Sequence, residues 1–272
     1  MHASLKYTLL FLVISTLLFV GYSAYLAEYR SVEISKALSA RSDTTETLHQ
    51  KIDSLLETLS AGLYDHYTRK NAQIQKLGKE AALQHEKSIR YLYLFFGTIL
   101  LFALLFYLID YDLLILFIGI SALISLLAAL FTPLVIMHVY SSLPVLGEVT
   151  LSFESKSLTG TIARLFSQSN YLIATLVLLF SVMIPLFKSL IIMMYGFFRE
   201  SGFGRKSVKL IEKIGKWSMV DVFIVALLVV LFSTKQDIHT SLQIESGLYF
   251  FIGYVLLSMF GSTLLTAPRR ER

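Results

Sequence analysis

The chain has no cysteine in 272 residues, which excludes disulfides, thiol nucleophiles, cysteine-ligated zinc and cysteine-ligated iron–sulfur clusters. Charge is scarce as well. Only 16% of residues are Asp, Glu, Lys or Arg, whereas a soluble domain carries about 25%. The six histidines, at 2, 49, 66, 85, 138 and 239, form no short-range ligand pattern, so neither a metal site nor a cofactor is expected. No G-x-S-x-G, H-E-x-x-H, P-loop or dinucleotide fingerprint occurs, and an enzyme is the least supported class. The net charge of +5 does not imply nucleic acid. Its basic residues flank apolar runs, where lipid headgroups and topology account for them first.

What is abundant is apolar sequence, at 55% of the chain and gathered in long runs. Runs of about 18 or more such residues span a bilayer. Six spans are expected, at 5–27, 91–109, 113–139, 171–195, 219–233 and 247–265. The first is read as a retained anchor, because it is too long for a signal-peptide core and no convincing cleavage site ends it. Only Asp110, Tyr111 and Asp112 separate the second and third spans, which predicts a tight antiparallel helical hairpin. The 199–216 loop carries six basic residues against two glutamates, and the tail adds Arg269, Arg270 and Arg272. The positive-inside rule then places both termini and the 110–112 turn in the cytoplasm and residues 28–90 outside.

Residues 28–90 are polar and lack proline. Leu48, Ile52, Leu55 and Leu59, and then Ile74, Leu77 and Ala81, have a heptad-like spacing. Both ends enter the membrane, so a fold-back near Ser60-Ala61-Gly62 into a periplasmic helical hairpin is expected, as a coiled-coil spacer, a docking arm or a ligand sensor. In the second outer segment, Val149, Leu151 and Phe153 alternate like a half-buried strand, and 158–166 reads as a short amphipathic helix or a re-entry element lying on the outer surface. A sheet there needs more strand than this loop alone displays.

Charges inside the spans are the candidate functional residues. Pro185 cannot donate to the Ser181 carbonyl, so the fourth span must kink or open there. Lys188 lies three residues later; its ammonium either snorkels to the headgroups or pairs with an acid. Trp217, in the string KWSMVDVF (216–223), is an interface anchor. Asp221, one turn deeper at the start of the fifth span, is either a helix-start contact or the partner of Lys188 at similar depth. Residues 204–216 form a basic amphipathic segment suited to the anionic leaflet.

Together, Gly160-x-x-x-x-Leu165, Ser181-Val-Met-Ile-Pro-Leu-Phe-Lys188, the basic connector, KWSMVDVF and Gly247-Leu-Tyr-Phe250 resemble the paraquat-inducible protein A family of Gram-negative inner-membrane proteins, over about residues 113–265. The positions that match family motifs are Pro144, Pro185, Lys188, Trp217, Asp221 and Phe223. The resemblance implies a role in lipid trafficking across the envelope beside periplasmic MCE proteins, with lipid-binding or conformational roles for those residues. Three features depart from the family. The zinc-ribbon cysteines are missing, one four-span unit is present where two are frequent, and Ser141-Ser-Leu-Pro144 replaces an Asn-x-x-Pro pattern.

The expected fold is therefore an all-α polytopic membrane protein, with a two-span unit and its hairpin at 1–110 and a four-span family-like domain at 111–272. Membrane lipids, an MCE-type protein and another copy of the chain are the expected partners. The leading function is an inner-membrane lipid-trafficking subunit with a laterally accessible groove; the alternative is a modulatory subunit that organises a complex without binding cargo.

Overall fold

A computed structural model describes residues 3–40, 66–143, 147–198 and 240–266. Helices α1 (Ala3–Ala40) and α2 (His66–Ile109) have 38 and 44 residues, lengths of about 57 and 66 Å against a hydrocarbon core of about 30 Å. Each therefore joins an apolar span to a polar extension without a break. The two run antiparallel. Ser31 Oγ donates to the Ala81 carbonyl at 3.0 Å and Ser88 Oγ donates to the Ala24 carbonyl at 3.1 Å. In the expected stripe, Ala81 is buried and Ile74 and Leu77 are half-buried. The arms of the expected hairpin are thus extensions of the spans themselves. Its bend near Gly62 and the stripe from Leu48 to Leu59 lie outside the described residues.

Asp110 alone separates α2 from α3 (Tyr111–Phe131) and caps α3 by accepting from the Asp112 N–H at 3.0 Å. An aspartate in this position satisfies an orphan donor and favours the positive helix end. Asp110 also binds Lys6 Nζ of α1 at 2.7 Å. The start of α1 and the α2–α3 turn therefore share one end of the bundle, as the expected parity requires. Helix α3 is the central one, with most of its residues buried. Around it α1, α2 and the last helix pack apolar side chains, including edge-on Phe95–Phe250 at 5.3 Å and Phe106–Phe117 at 5.2 Å. The outward faces of α1 and α2 expose Phe11, Phe19, Leu100 and Leu101, as a lipid-facing surface does.

The expected third span, 113–139, is too long by eight residues at its C-terminal end. Helix α3 stops at Phe131 because Pro133 forces the preceding residue out of the α region: Thr132 has φ −82° and ψ 141°. Beyond this stop the chain extends into strand β1 (Val135–Leu143), which pairs antiparallel with β2 (Gly147–Lys156) and, on its other side, with β3 (Thr240–Ile244). The order β2-β1-β3 supplies the strands that the loop after the third span could not provide by itself. Leu134 knots the structure, donating to the Lys156 carbonyl at 2.9 Å and accepting from the Glu245 N–H at 3.0 Å.

Ser157 caps the short helix α4 (Leu158–Ser167) by accepting from the Gly160 N–H at 3.1 Å. Thr159 Oγ1 donates to the Leu130 carbonyl at 3.0 Å, fastening α4 over the end of α3. The fourth span comprises α5 (Tyr171–Leu178), a π turn (Leu179–Met183) and α6 (Ile184–Phe198). The last span is α7 (Ser246–Thr266), which starts where Gly247 touches the loop after α3; a Cβ there would overlap the carbonyls of Pro133 and Thr132. Among the described residues five helices are long and apolar enough to cross a membrane. The architecture is a membrane-spanning helical bundle with a small sheet at one end. The expected span at 219–233 and the basic segment at 204–216 lie outside the described residues.

Candidate functional site

Pro185 sits two residues beyond the π turn. Lacking an N–H, and with its ring directed at the carbonyl four residues back, proline cannot be accommodated in a regular α-turn. The helix widens instead. Ile184 N–H donates to the Leu179 carbonyl, five residues back rather than four, and π turns of this kind cluster at functional sites. Ser181, whose carbonyl the proline cannot serve, is buried.

Lys188 is only 1% exposed. Its ammonium is therefore enclosed by the bundle and does not run out along the helix to the headgroups, which removes the snorkelling account. Nor is it the sole polar group inside. Ile118 of α3 and Ile192 of α6 both meet α7 at Gly261, where an added Cβ would lie 3.3 and 3.2 Å from them. Ser121, Ser189 and Ser258 each lie three residues, about 4.5 Å of helix rise, from that junction toward the sheet end of the bundle. All three are fully buried, and their hydroxyls lack a hydrogen-bond partner among the described residues. Three helices thus place polar groups at one depth, and one of them, Ser189, is next in sequence to Lys188. Such groups are costly within a membrane and mark functional interiors.

Packing differs along the bundle. In the half away from the sheet it is tight: a Cβ on Gly119 would fall 2.9 Å from the Met193 backbone nitrogen, so α3 and α6 touch almost backbone to backbone. In the half toward the sheet it is open. Tyr171, Leu172, Thr175, Leu176, Leu179 and Phe180 line a shallow groove of about 490 Å³ on α5 and the π turn. Of α5 only Ala174 is buried, so the groove faces sideways, toward lipid, and ends at the opened turn ahead of Pro185.

Of the residues singled out in the sequence, Pro185 and Lys188 fall within this region, whereas Pro144, Trp217, Asp221 and Phe223 lie outside the described residues. Three residues without any local signature form a second cluster. Glu28 of α1, His85 of α2 and Glu245, just ahead of α7, converge at the sheet end of the bundle, with ligand atoms all within 4.8 Å of one another. Burial pushes the Glu245 carboxyl up to about 7, opposed by His85 and assisted by Glu28. Their sequence separation is what hid them, since spacing rules search short windows.

The paraquat-inducible protein A family model matches residues 113–268. No curated protein and no solved structure matches the chain. The matched stretch is more than half of the chain and contains the central helix, the sheet, the opened fourth span and the last span. The chain belongs to the paraquat-inducible protein A family.

Proposed function

We propose that the protein is a non-enzymatic inner-membrane subunit of an envelope lipid-trafficking system, holding an acyl chain in the groove of the fourth span and passing or admitting lipid toward an MCE-type periplasmic protein. The observation that carries this reading is the apolar, sideways-facing groove of about 490 Å³ that ends at the π turn before Pro185. A shallow apolar groove opened to lipid admits an alkyl chain without crossing water. Family membership supports the envelope setting and the partner class. In this reading both termini are cytoplasmic, the sheet end and the α1–α2 extensions are periplasmic, and residues 1–110 and 111–272 act as two units. Pro185 keeps the turn open, Lys188 pairs with Asp221 to hold the fourth and fifth spans in register, and Trp217 fixes their depth, with Phe223 and Pro144 completing the conformational set. A second copy of the chain supplies what a second four-span unit provides elsewhere in the family.

The tight α3–α6 crossing at Gly119 favours a second reading, a modulatory subunit that organises a complex without cargo. Native mass spectrometry of the protein extracted in mild detergent separates the two. Retained phospholipid is expected on the wild type, lost in Leu176→Trp, which fills the groove, and kept in Leu101→Trp on the lipid-facing side of α2. Equal retention in both variants, or none in the wild type, would leave the modulatory reading standing.

A further inference from the structure

The cluster of Glu28, His85 and Glu245 is built from three parts of the chain that are each held independently. The serine bonds at Ser31–Ala81 and Ser88–Ala24 fix the α1–α2 pair on both sides of residues 28 and 85. Glu245 is set by its own N–H on the Leu134 carbonyl at 3.0 Å and by Gly247 N–H on the Pro133 carbonyl at 3.0 Å. The three side chains therefore meet as the outcome of backbone placement.

Two carboxylates there are withdrawn from solvent, Glu28 at 0% and Glu245 at 3% exposure. Neither oxygen of Glu28 nor Oε2 of Glu245 has a hydrogen-bond partner among the described residues, and the Ser88 hydroxyl is committed to Ala24. Buried carboxylates are strongly unfavourable unless a cation faces them; a protonated His85 supplies one positive charge against the two carboxylates, whereas a divalent ion bound through the neutral imidazole supplies two. The His85 Nδ1 lies 3.0 Å from Glu245 Oε2 and 3.5 Å from Glu28 Oε1. A tetrahedral ion with bonds of about 2.0 Å to nitrogen and oxygen sets neighbouring donors about 3.3 Å apart, and the two separations straddle that value. One imidazole with two carboxylates suits zinc and its first-row neighbours; magnesium and calcium prefer all-oxygen shells, and a sulfur-free set disfavours copper(I). His85 is 38% exposed on its side chain, which leaves an entry path and room for water as a further ligand.

We propose that Glu28, His85 and Glu245 bind a divalent transition-metal ion of the zinc class, which clasps the N-terminal helix pair to the start of the last span at the sheet end of the bundle. The clasp joins a part of the chain that precedes the family match to a residue within it.

The test uses the full-length protein, purified in detergent through a tag without histidine, stripped by a chelator, incubated with zinc chloride and passed through a desalting column. Elemental analysis should find about one zinc per chain, and the zinc-loaded form should melt at a higher temperature than the stripped form. His85→Gln and Glu245→Gln should weaken zinc binding by more than the roughly 10–100-fold that outer-shell changes cost. Glu86→Gln, an exposed carboxylate next to His85 in sequence, should bind as the wild type does. His85 is the half-exposed member, so its variant is the one expected to fold normally, and size-exclusion elution checks this. Wild-type protein that takes up no zinc and gains no melting temperature would overturn the proposal, as would wild-type zinc affinity in folded His85→Gln. That result would make the cluster an imidazolium held between two carboxylates.

Discussion

Gly119→Ala is the most direct test of how α3 and α6 are held. A methyl group at this position would sit 2.9 Å from Met193 N and 3.1 Å from both Met193 Cα and Ile192 Cγ2. Ordinary contact between such atoms begins near 3.5 Å, so α6 must retreat by about half an ångström. Two of the three obstructing atoms are backbone, and a rotamer change cannot relieve them. Overpacking of this kind costs about 1–3 kcal/mol. Against it stands the general preference of helices for Ala over Gly, roughly 0.5–1 kcal/mol. Gly97→Ala isolates that second contribution, because nothing lies within 4 Å of an added Cβ there. The variants should therefore separate: Gly97→Ala equal to or slightly above the wild type, and Gly119→Ala below Gly97→Ala by about 1–3 kcal/mol. Thermal unfolding in one detergent, with SDS titration as a second probe, measures the difference. If Gly119→Ala matches Gly97→Ala by both probes, the close crossing is wrong.

Further predictions address topology and register. Reporter fusions at residues 60, 155 and 240 should read periplasmic and those at 111, 207 and 272 cytoplasmic; a cytoplasmic signal at 155 would invert the sheet end. Cysteines placed at Ser31 and Ala81, which touch across α1 and α2, should crosslink within one chain, and crosslinks found only between chains would refute the antiparallel pairing. The Lys188→Ala and Asp221→Ala double-mutant cycle should give a coupling of about 1 kcal/mol in unfolding free energy; strictly additive effects would return Asp221 to a helix-start contact. Ser125→Ala removes a buried hydroxyl that donates to the Phe250 carbonyl at 2.7 Å and should cost about 1 kcal/mol, with no measurable loss counting against the α3–α7 register.

Hydropathy by itself determined the membrane class and most span positions, because the bilayer selects apolar length irrespective of partners. The turn at 110–112 was equally legible, since three residues between two apolar runs leave no room for anything but a hairpin. Pro185 declared its opened turn through the chemistry of a missing N–H. The end of the third span did not declare itself in this way. Val135, Ile136 and Met137 continue an apolar run in either a helix or a strand, and the decision came from Pro133 together with strand partners at 147–156 and 240–244. The burial of Lys188 likewise depended on neighbouring helices, because a lysine's stem reaches water or the interior with the same local sequence. Least legible was the Glu28–His85–Glu245 cluster. Its members are ordinary residues in their own segments, and only the packing of α1 against α2, with the last span's entry beside them, turns two carboxylates and an imidazole into one site.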